Sequence, residues 1–394
     1  MSIAENYNRI IARLIDDVDN NTTHMANGTM QVPSEAYIDP DMWQQEMDVI
    51  FKKVPVFVAM TQEIPNAGDY KTLQFLDKPL LITRLADGTA RVMLNVCSHR
   101  AMTLTKEPCG NKSRFTCPYH GWMYSNDGVL RGVADHEKFG DFDKHANGLK
   151  QLPVYEKGGL IFTVLEADGE VDFEDYLGGM MDDISRLGME NWHYCGSRQI
   201  HGANWKIAYD GFLEGYHFAA AHPDTIATRT YSNVMEYGNY GPHTLICFPH
   251  LAIKENLAGV APEDYEKHEN NGYDWIRTLF PNISIFVAPE ITMVSQILPG
   301  PGPNQNTTYL NFIHPSKPAG EDAELQEMMN FLCDVVDTED YHVGLEIQKG
   351  LEANAHSHVT FGRNEAANQL FHKWIEWYLA KDPSAPKPEL ERCD

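Results

Sequence analysis

Cys97-Ser98-His99-Arg100-Ala101-Met102-Thr103-Leu104, and further on Cys117-Pro118-Tyr119-His120-Gly121-Trp122, decide how this chain of 394 residues is read. They hold two Cys-His pairs, Cys97 with His99 and Cys117 with His120, with seventeen residues between the pairs. Pairs on two separate hairpin-like loops can bring four donors onto one centre. Two thiolates and two neutral imidazoles suit a [2Fe–2S] cluster in which the cysteines hold one iron and the histidines the other. The imidazoles raise the reduction potential, which suits acceptance of electrons from a ferredoxin or reductase. The same donor types suit structural zinc, although the first pair's C-x-H spacing is unlike the usual C-x₂₋₄-C of zinc fingers.

Working outward, the segments around these loops are short and β-rich. VPVFVAM, PLLITRL, RVMLNV and GLIFTVL alternate with turn sequences such as Asn66-Ala67-Gly68-Asp69, Asp87-Gly88 and Asn126-Asp127-Gly128. A small all-β unit from about residue 55 to 162 follows. Before it, Ile10, Ile11, Leu14 and Ile15 lie at helical spacing over residues 4–17, and Asp19 to Gly28 reads as a polar loop. After it come a helical stretch around 173–187, strands over 278–314 (SIFVAP, TMVSQILP, TTYLNFIH), and helix from about Ala323 to Leu379 with a loop near His356–Asn364. The expected organisation is α+β, with the small β domain sitting inside a larger domain that holds both chain ends.

The net charge of −25 argues against nucleic acid as a partner, because a phosphate backbone needs a basic face. Such acidity serves solubility and could also furnish a docking face for a redox partner. No window reaches the ~18–20 uninterrupted apolar residues of a membrane span, and MSIAENYNRIIARLIDDVDN lacks the pattern of a signal peptide. The chain therefore reads as cytoplasmic, away from membranes. Its seven cysteines are sparse and odd in number, so clustered ones point to metal or catalysis rather than to disulfides. Cys109, between the two pairs, reads as a loop thiol, since four donors are already supplied.

A second constellation runs from Asn204-Trp205-Lys206 through Asp210, Glu214 and His217 to His222-Pro223. Two histidines five apart would lie about 140° apart on a regular helix, so a break must intervene if both are to face one metal. Pro223 agrees with a helix ending there. Two histidines and one distant carboxylate make the facial triad of non-haem Fe(II) oxygenases, which leaves coordination positions open. Taken alone, such a pair of histidines is more often surface or core; the neighbouring cluster signal reverses that reading. Tyr209, Phe212, Leu213 and Phe218 could form an apolar pocket beside the histidines, or pack an ordinary core.

CSHRAMTL…CPYHGW together with NWK…D…EGYH…H resembles the Rieske non-haem iron oxygenases, the ring-hydroxylating alpha subunits, from about Asp41 to the end of the C-terminal helix. The resemblance implies an N-terminal helix and loop (1–40) packing on the catalytic domain, a Rieske domain (41–160), and a helix-grip-like catalytic domain (161–394) with an antiparallel sheet flanked by helices. It implies Cys97, His99, Cys117 and His120 as ligands of a [2Fe–2S] cluster, and His217, His222 and Asp340 as ligands of a mononuclear Fe(II). Asp337 and Glu339 compete with Asp340 for the third place. Glu214 matches a bridging carboxylate that is usually Asp and would link a cluster histidine of one subunit to His217 of the next; Asp210 is the runner-up. Ala101 departs from the family's usual glycine, which alters a turn without touching ligation.

The implied activity is that of a terminal oxygenase. It would take electrons from a separate reductase or ferredoxin, activate O₂, and hydroxylate an aromatic or alicyclic small molecule. The glutamate bridge keeps open a monooxygenase or demethylase acting on a quaternary amine such as a carnitine or betaine. An intersubunit path implies a homotrimer, and small β subunits remain possible within it. A non-catalytic Rieske electron carrier is the rival of another class, but more than 200 residues follow the cluster motif.

Overall fold

The computed structural model describes residues 2–167, 170–288, 291–316 and 322–393. The chain divides into two compact units, one of residues 1–50, 176–183 and 193–394, the other of residues 51–175 and 184–192. The result is a small, predominantly β unit with a few short helical turns, and a larger α+β unit.

The smaller unit contains three antiparallel sheets. Five strands run in the order Gln151–Leu152, Ala90–Leu94, Lys78–Arg84, Asp69–Phe75, Cys109–Asn111. Three more are Val154–Lys157, Leu160–Thr163 and Val56–Met60. A last ribbon of three, Arg114–Thr116, Met123–Ser125 and Leu130–Gly132, supports the second Cys-His loop. The core joins Tyr70, Leu81, Met93, Phe115, Trp122 and Tyr124 to Cys97 and Cys117, so the two cysteines are anchored in buried apolar packing.

The larger unit is built on a seven-stranded antiparallel sheet. Its order is His193–Gly202, Asn306–His314, Thr292–Pro299, Ile283–Val287, Tyr273–Leu279, His243–Pro249, Glu236–Tyr240. The last three of these and the edge strand His193–Gly202 lie mostly outside the strand-like region read from sequence. The edge strand's alternation is obscured by polar and exposed positions on both faces, as in NWHYCGSRQIHG. The helix Ile3–Asn20 starts with a Ser2–Glu5 capping box and buries Tyr7, Ile10, Ile11 and Leu14 against the Glu236–Tyr240 and His243–Pro249 strands. Toward the C-terminus, Ala323–Val335 and His342–Glu352 are α-helical and are joined by a π-helical turn, Val336–Tyr341. The stretch expected as a loop near His356–Asn364 contains a strand, His358–Phe361, paired antiparallel with Met30–Pro33. A four-residue strand whose partner lies at the other end of the chain has no local sequence signature.

Candidate functional site

In the smaller unit both Cys-His loops repeat one hydrogen-bond pattern. Cys97 N–H donates to Met102 O (2.8 Å) and Ala101 N–H to Cys97 O (3.0 Å). Cys117 N–H donates to Trp122 O (2.8 Å) and Gly121 N–H to Cys117 O (3.0 Å). Ala101 and Gly121 hold the matching left-handed positions, at φ 59° and 71°. The loops bring the His99 and His120 rings to 4.6 Å between centroids, with Trp122 stacked on His99 at 4.8 Å. Burial holds the His99 imidazole below its usual pKa, and the neighbouring His120 and Arg100 add to that. The Tyr124 hydroxyl lies 3.2 Å from Cys97 Sγ, and burial pushes its pKa up to about 12, so it stays a donor.

The decisive detail is what these groups lack. His99 Nδ1 and His120 Nδ1 are both buried without a hydrogen-bond partner among the described residues. Buried nitrogens of this kind are costly unless something ligates them. Two buried thiols and two orphaned imidazole nitrogens match the donor types that a Rieske [2Fe–2S] cluster requires, so these residues fit that group. Cys109 is exposed in the strand that pairs with Asp69–Lys71.

In the larger unit, Asn204 caps the helix Trp205–Gly211, its side chain accepting from Lys206 N–H (2.8 Å). Lys206 is fully buried and pairs with Glu46 at 2.5 Å, which fixes this helix from behind. The chain then turns through Glu214. His217 stands at the N-cap and His222 at the C-cap of a four-residue helix, Phe218–Ala221, and this supplies the break that two histidines five apart require. Their ring centroids are 5.0 Å apart. The third group arrives from the π-helical turn: Asp340 Oδ1 lies 2.9 Å from His222 Nε2 and 3.4 Å from His217 Nε2. One donor atom from each residue falls within 4.8 Å of the others. Such π-turns recur at functional sites.

Both imidazoles are held on their other nitrogen as well. His217 Nδ1 meets Glu214 Oε1, and His222 Nδ1 lies 2.5 Å from Glu339 Oε2. Burial opposes charge on His217, yet hydrogen bonds to Asp340 and Glu214 lift its pKa to about 10. Burial alone would raise the Asp340 carboxyl, but bonds from His217 and His222 draw it below its usual value. Without an ion, protons occupy positions between donors that a divalent cation could take, and the set fits one.

A cavity of about 230 Å³ opens beside this set. His217 and Asp340 line it together with Asp210, Glu214, Glu339 and Glu365, against apolar walls that include Phe212 and Phe361. No lysine or arginine is among the described residues lining it. Of the four apolar residues considered from sequence, only Phe212 reaches the cavity. Leu213 is buried in the core, Tyr209 stacks on Phe371 and Phe218 packs on Phe248. Asp210 is locked in place by the Tyr37 hydroxyl (2.9 Å), His372 Nε2 (3.0 Å) and Asn368 Nδ2 (3.3 Å). Sequence reading did not single out Tyr37, His372 or Asn368, because their elements meet Asp210 only in the fold.

Residues 54–155 match the Rieske [2Fe-2S] domain, and residues 189–381 match the ring hydroxylating alpha subunit catalytic domain. The chain belongs to the Rieske ring-hydroxylating oxygenase alpha-subunit family. The chain is 34% identical to the anthranilate 1,2-dioxygenase large subunit of Acinetobacter baylyi over 51% of its own length and 44% of that protein's. It is 36% identical to the glycine betaine monooxygenase oxygenase subunit of Chromohalobacter salexigens, over 50% and 44% respectively. The chain thus spans about half the length of these curated relatives. A quaternary ammonium Rieske monooxygenase, crystallised with an inhibitor, shares its fold at a TM-score of 0.78 and 21% identity, over 90% of this chain and 96% of that one. The family's two cofactors are a [2Fe–2S] cluster in the Rieske domain and a mononuclear iron in the catalytic domain. Among the described residues, no helix is long and apolar enough to cross a membrane.

Proposed function

We propose that this chain is the terminal oxygenase component of an electron-fed oxygenase acting on a small organic molecule. The observation that carries the reading is the convergence of His217, His222 and Asp340 beside a cavity, in a chain that also presents a Cys₂His₂ set with orphaned imidazole nitrogens. Cys97 and Cys117 would hold one iron of the cluster, His99 and His120 the other, and His217, His222 and Asp340 the mononuclear iron. When bound, these groups supply one-electron transfer and the activation of O₂. The protein's own part is to orient the imidazoles, hold substrate at the cavity face of the donor set, and keep bulk water out. Electrons would come from a separate reductase or ferredoxin. In a homotrimer, Glu214 would link His120 of one subunit to His217 of the next, and its contact with His217 Nδ1 supports half of that bridge.

For the substrate, the charge of the cavity favours a nitrogenous cation over an aromatic acid. Five carboxylates (Asp210, Glu214, Glu339, Asp340 and Glu365) line it, and among the described residues no lysine or arginine lines it to receive a substrate carboxylate. Burial, reinforced by Glu214 and Asp210, raises the Glu365 carboxyl, which marks negative charge as already crowded there. Tyr37, Phe212 and Phe361 are among the lining residues, and aromatic rings are the groups that would receive a quaternary or tertiary amine. A neutral aromatic or alicyclic compound is the second reading, resting on the apolar walls. The test is product-coupled O₂ uptake by the iron-loaded enzyme with a surrogate reductase, comparing N-methylated amines, neutral arenes and aromatic carboxylates. Formaldehyde released from the amines is expected; turnover of the carboxylates alone would refute the cation reading and leave the oxygenase reading intact.

A further inference from the structure

Two consecutive residues close on the two nitrogens of one imidazole. Glu339 Oε2 is 2.5 Å from His222 Nδ1, and Asp340 Oδ1 is 2.9 Å from His222 Nε2. Neighbouring side chains on a regular α-helix diverge by about 100°. Here they lie in the wider π-helical turn Val336–Tyr341, which lets both reach the same ring. His222 is completely buried, so the ring cannot turn away to water. Glu339 is itself steadied by the Thr225 hydroxyl, which donates to the same Oε2 at 2.6 Å.

We propose that Glu339 is the positioning carboxylate of His222 rather than a competitor of Asp340 for the metal. By accepting from Nδ1–H it fixes the tautomer whose Nε2 lone pair faces Asp340, and it strengthens that nitrogen as a donor. The two histidines are then supported differently. His217 takes its carboxylate, Glu214, from three residues earlier in its own segment, whereas His222 takes its carboxylate from the C-terminal π-turn that also provides Asp340. One turn therefore delivers both a donor and the orientation of a second donor.

This inference rests on the reading of His217, His222 and Asp340 as the mononuclear iron ligands. The test uses the full-length, cluster-loaded protein and measures the Fe(II) dissociation constant by competition with a chelator, together with the electronic spectrum of Co(II) bound at the same site. Glu339→Gln is expected to weaken Fe(II) by about 10- to 100-fold and to shift the Co(II) bands. Glu339→Asp is expected to recover part of the loss, and the visible absorption of the cluster should stay unchanged. Glu339→Gln with wild-type Fe(II) affinity overturns the proposal, and so does a lowered melting temperature with no change in affinity. If Glu339→Gln loses the cluster and does not fold, Thr225→Val carries the test. It removes only the hydroxyl that steadies Glu339, and is expected to weaken Fe(II) by a few-fold; an unchanged constant overturns the proposal. His217→Ala, run alongside, separates the two layers. If it leaves Fe(II) bound as in wild type, the ligand reading itself has failed; if it abolishes binding while the Glu339 variants do not alter it, only the role of Glu339 has.

Discussion

In the smaller unit four donors come from two short loops with the same hydrogen-bond pattern, whereas in the larger unit His222 and Asp340 come together from 118 residues apart. The first arrangement is local: each loop places a cysteine in the core and a histidine near the surface, and the fold has only to set two loops side by side. The second is tertiary, because it depends on a short helix that starts after His217 and stops at His222, and on a π-turn in a distant segment. The protonation of the two sets differs in the same way. Burial keeps His99 neutral and ready to ligate, whereas carboxylates hold His217 charged until a cation displaces its proton.

If the two sets are independent, removing a donor from one must spare the other. His217→Ala is expected to abolish mononuclear iron and turnover while leaving the visible spectrum of the cluster intact, as read by iron analysis and absorption. Loss of the cluster instead would break the comparison. Glu214→Gln probes the coupling of the two sets. With the mononuclear site kept saturated by added Fe(II), it should slow reoxidation of the cluster in a single turnover by about 10- to 100-fold. Unchanged kinetics would remove Glu214 from the electron path.

The contrast in protonation has a pH signature. Burial opposes charge on His217, but hydrogen bonds to Asp340 and Glu214 outweigh it and raise the folded-state pKa to about 10, so this ring carries a proton at neutral pH that Fe(II) must expel. Against the same opposition from burial, hydrogen bonds to Asp340 and Glu339 shift His222 in the same direction. Each proton displaced makes the apparent affinity rise about tenfold per pH unit below the folded pKa. Fe(II) binding measured between pH 6.5 and 7.5 should therefore tighten by at least about tenfold. An affinity independent of pH would show that the carboxylates do not hold His217 charged.

The local set was legible in the sequence as four donor residues, because Cys97, His99, Cys117 and His120 sit at fixed short spacings on turn residues. His217 and His222 were legible as a pair, and Pro223 announced the end of the helix between them. Asp340 followed from resemblance, since nothing near it in the chain distinguishes it from Asp337 or Glu339. Which of these reaches which nitrogen depends on the π-turn, and no periodicity of apolar residues records such a turn. The same limit applies to the sheet: Thr292–Pro299 and Asn306–His314 read as strands from their apolar runs, but the polar edge strand His193–Gly202 did not.

The smallest expected effect tests whether the two Cys-His loops are equivalent in energy as they are in hydrogen bonding. Ala101 and Gly121 occupy matching left-handed positions, and a side chain there costs about 1–2 kcal/mol through the clash of Cβ with the backbone. Glycine removes that cost but gives back about 0.4–1 kcal/mol in the freedom of the unfolded chain. Ala101→Gly should therefore stabilise the holoprotein by roughly 0.5–1 kcal/mol, the difference between those two terms. The reverse change in the other loop, Gly121→Ala, has open space to enter, since the nearest atom to the added methyl group would be Ala134 Cβ at 3.9 Å. Its cost should accordingly be the backbone strain less the same unfolded-chain term, with no steric clash added, and so of similar size and opposite sign. Denaturant titration followed through the visible absorption of the cluster would measure both. Equal and opposite shifts would mean that Ala101 carries only a backbone cost, whereas a loss of stability in Ala101→Gly would mean that its methyl group makes a compensating contact that the matching loop does without.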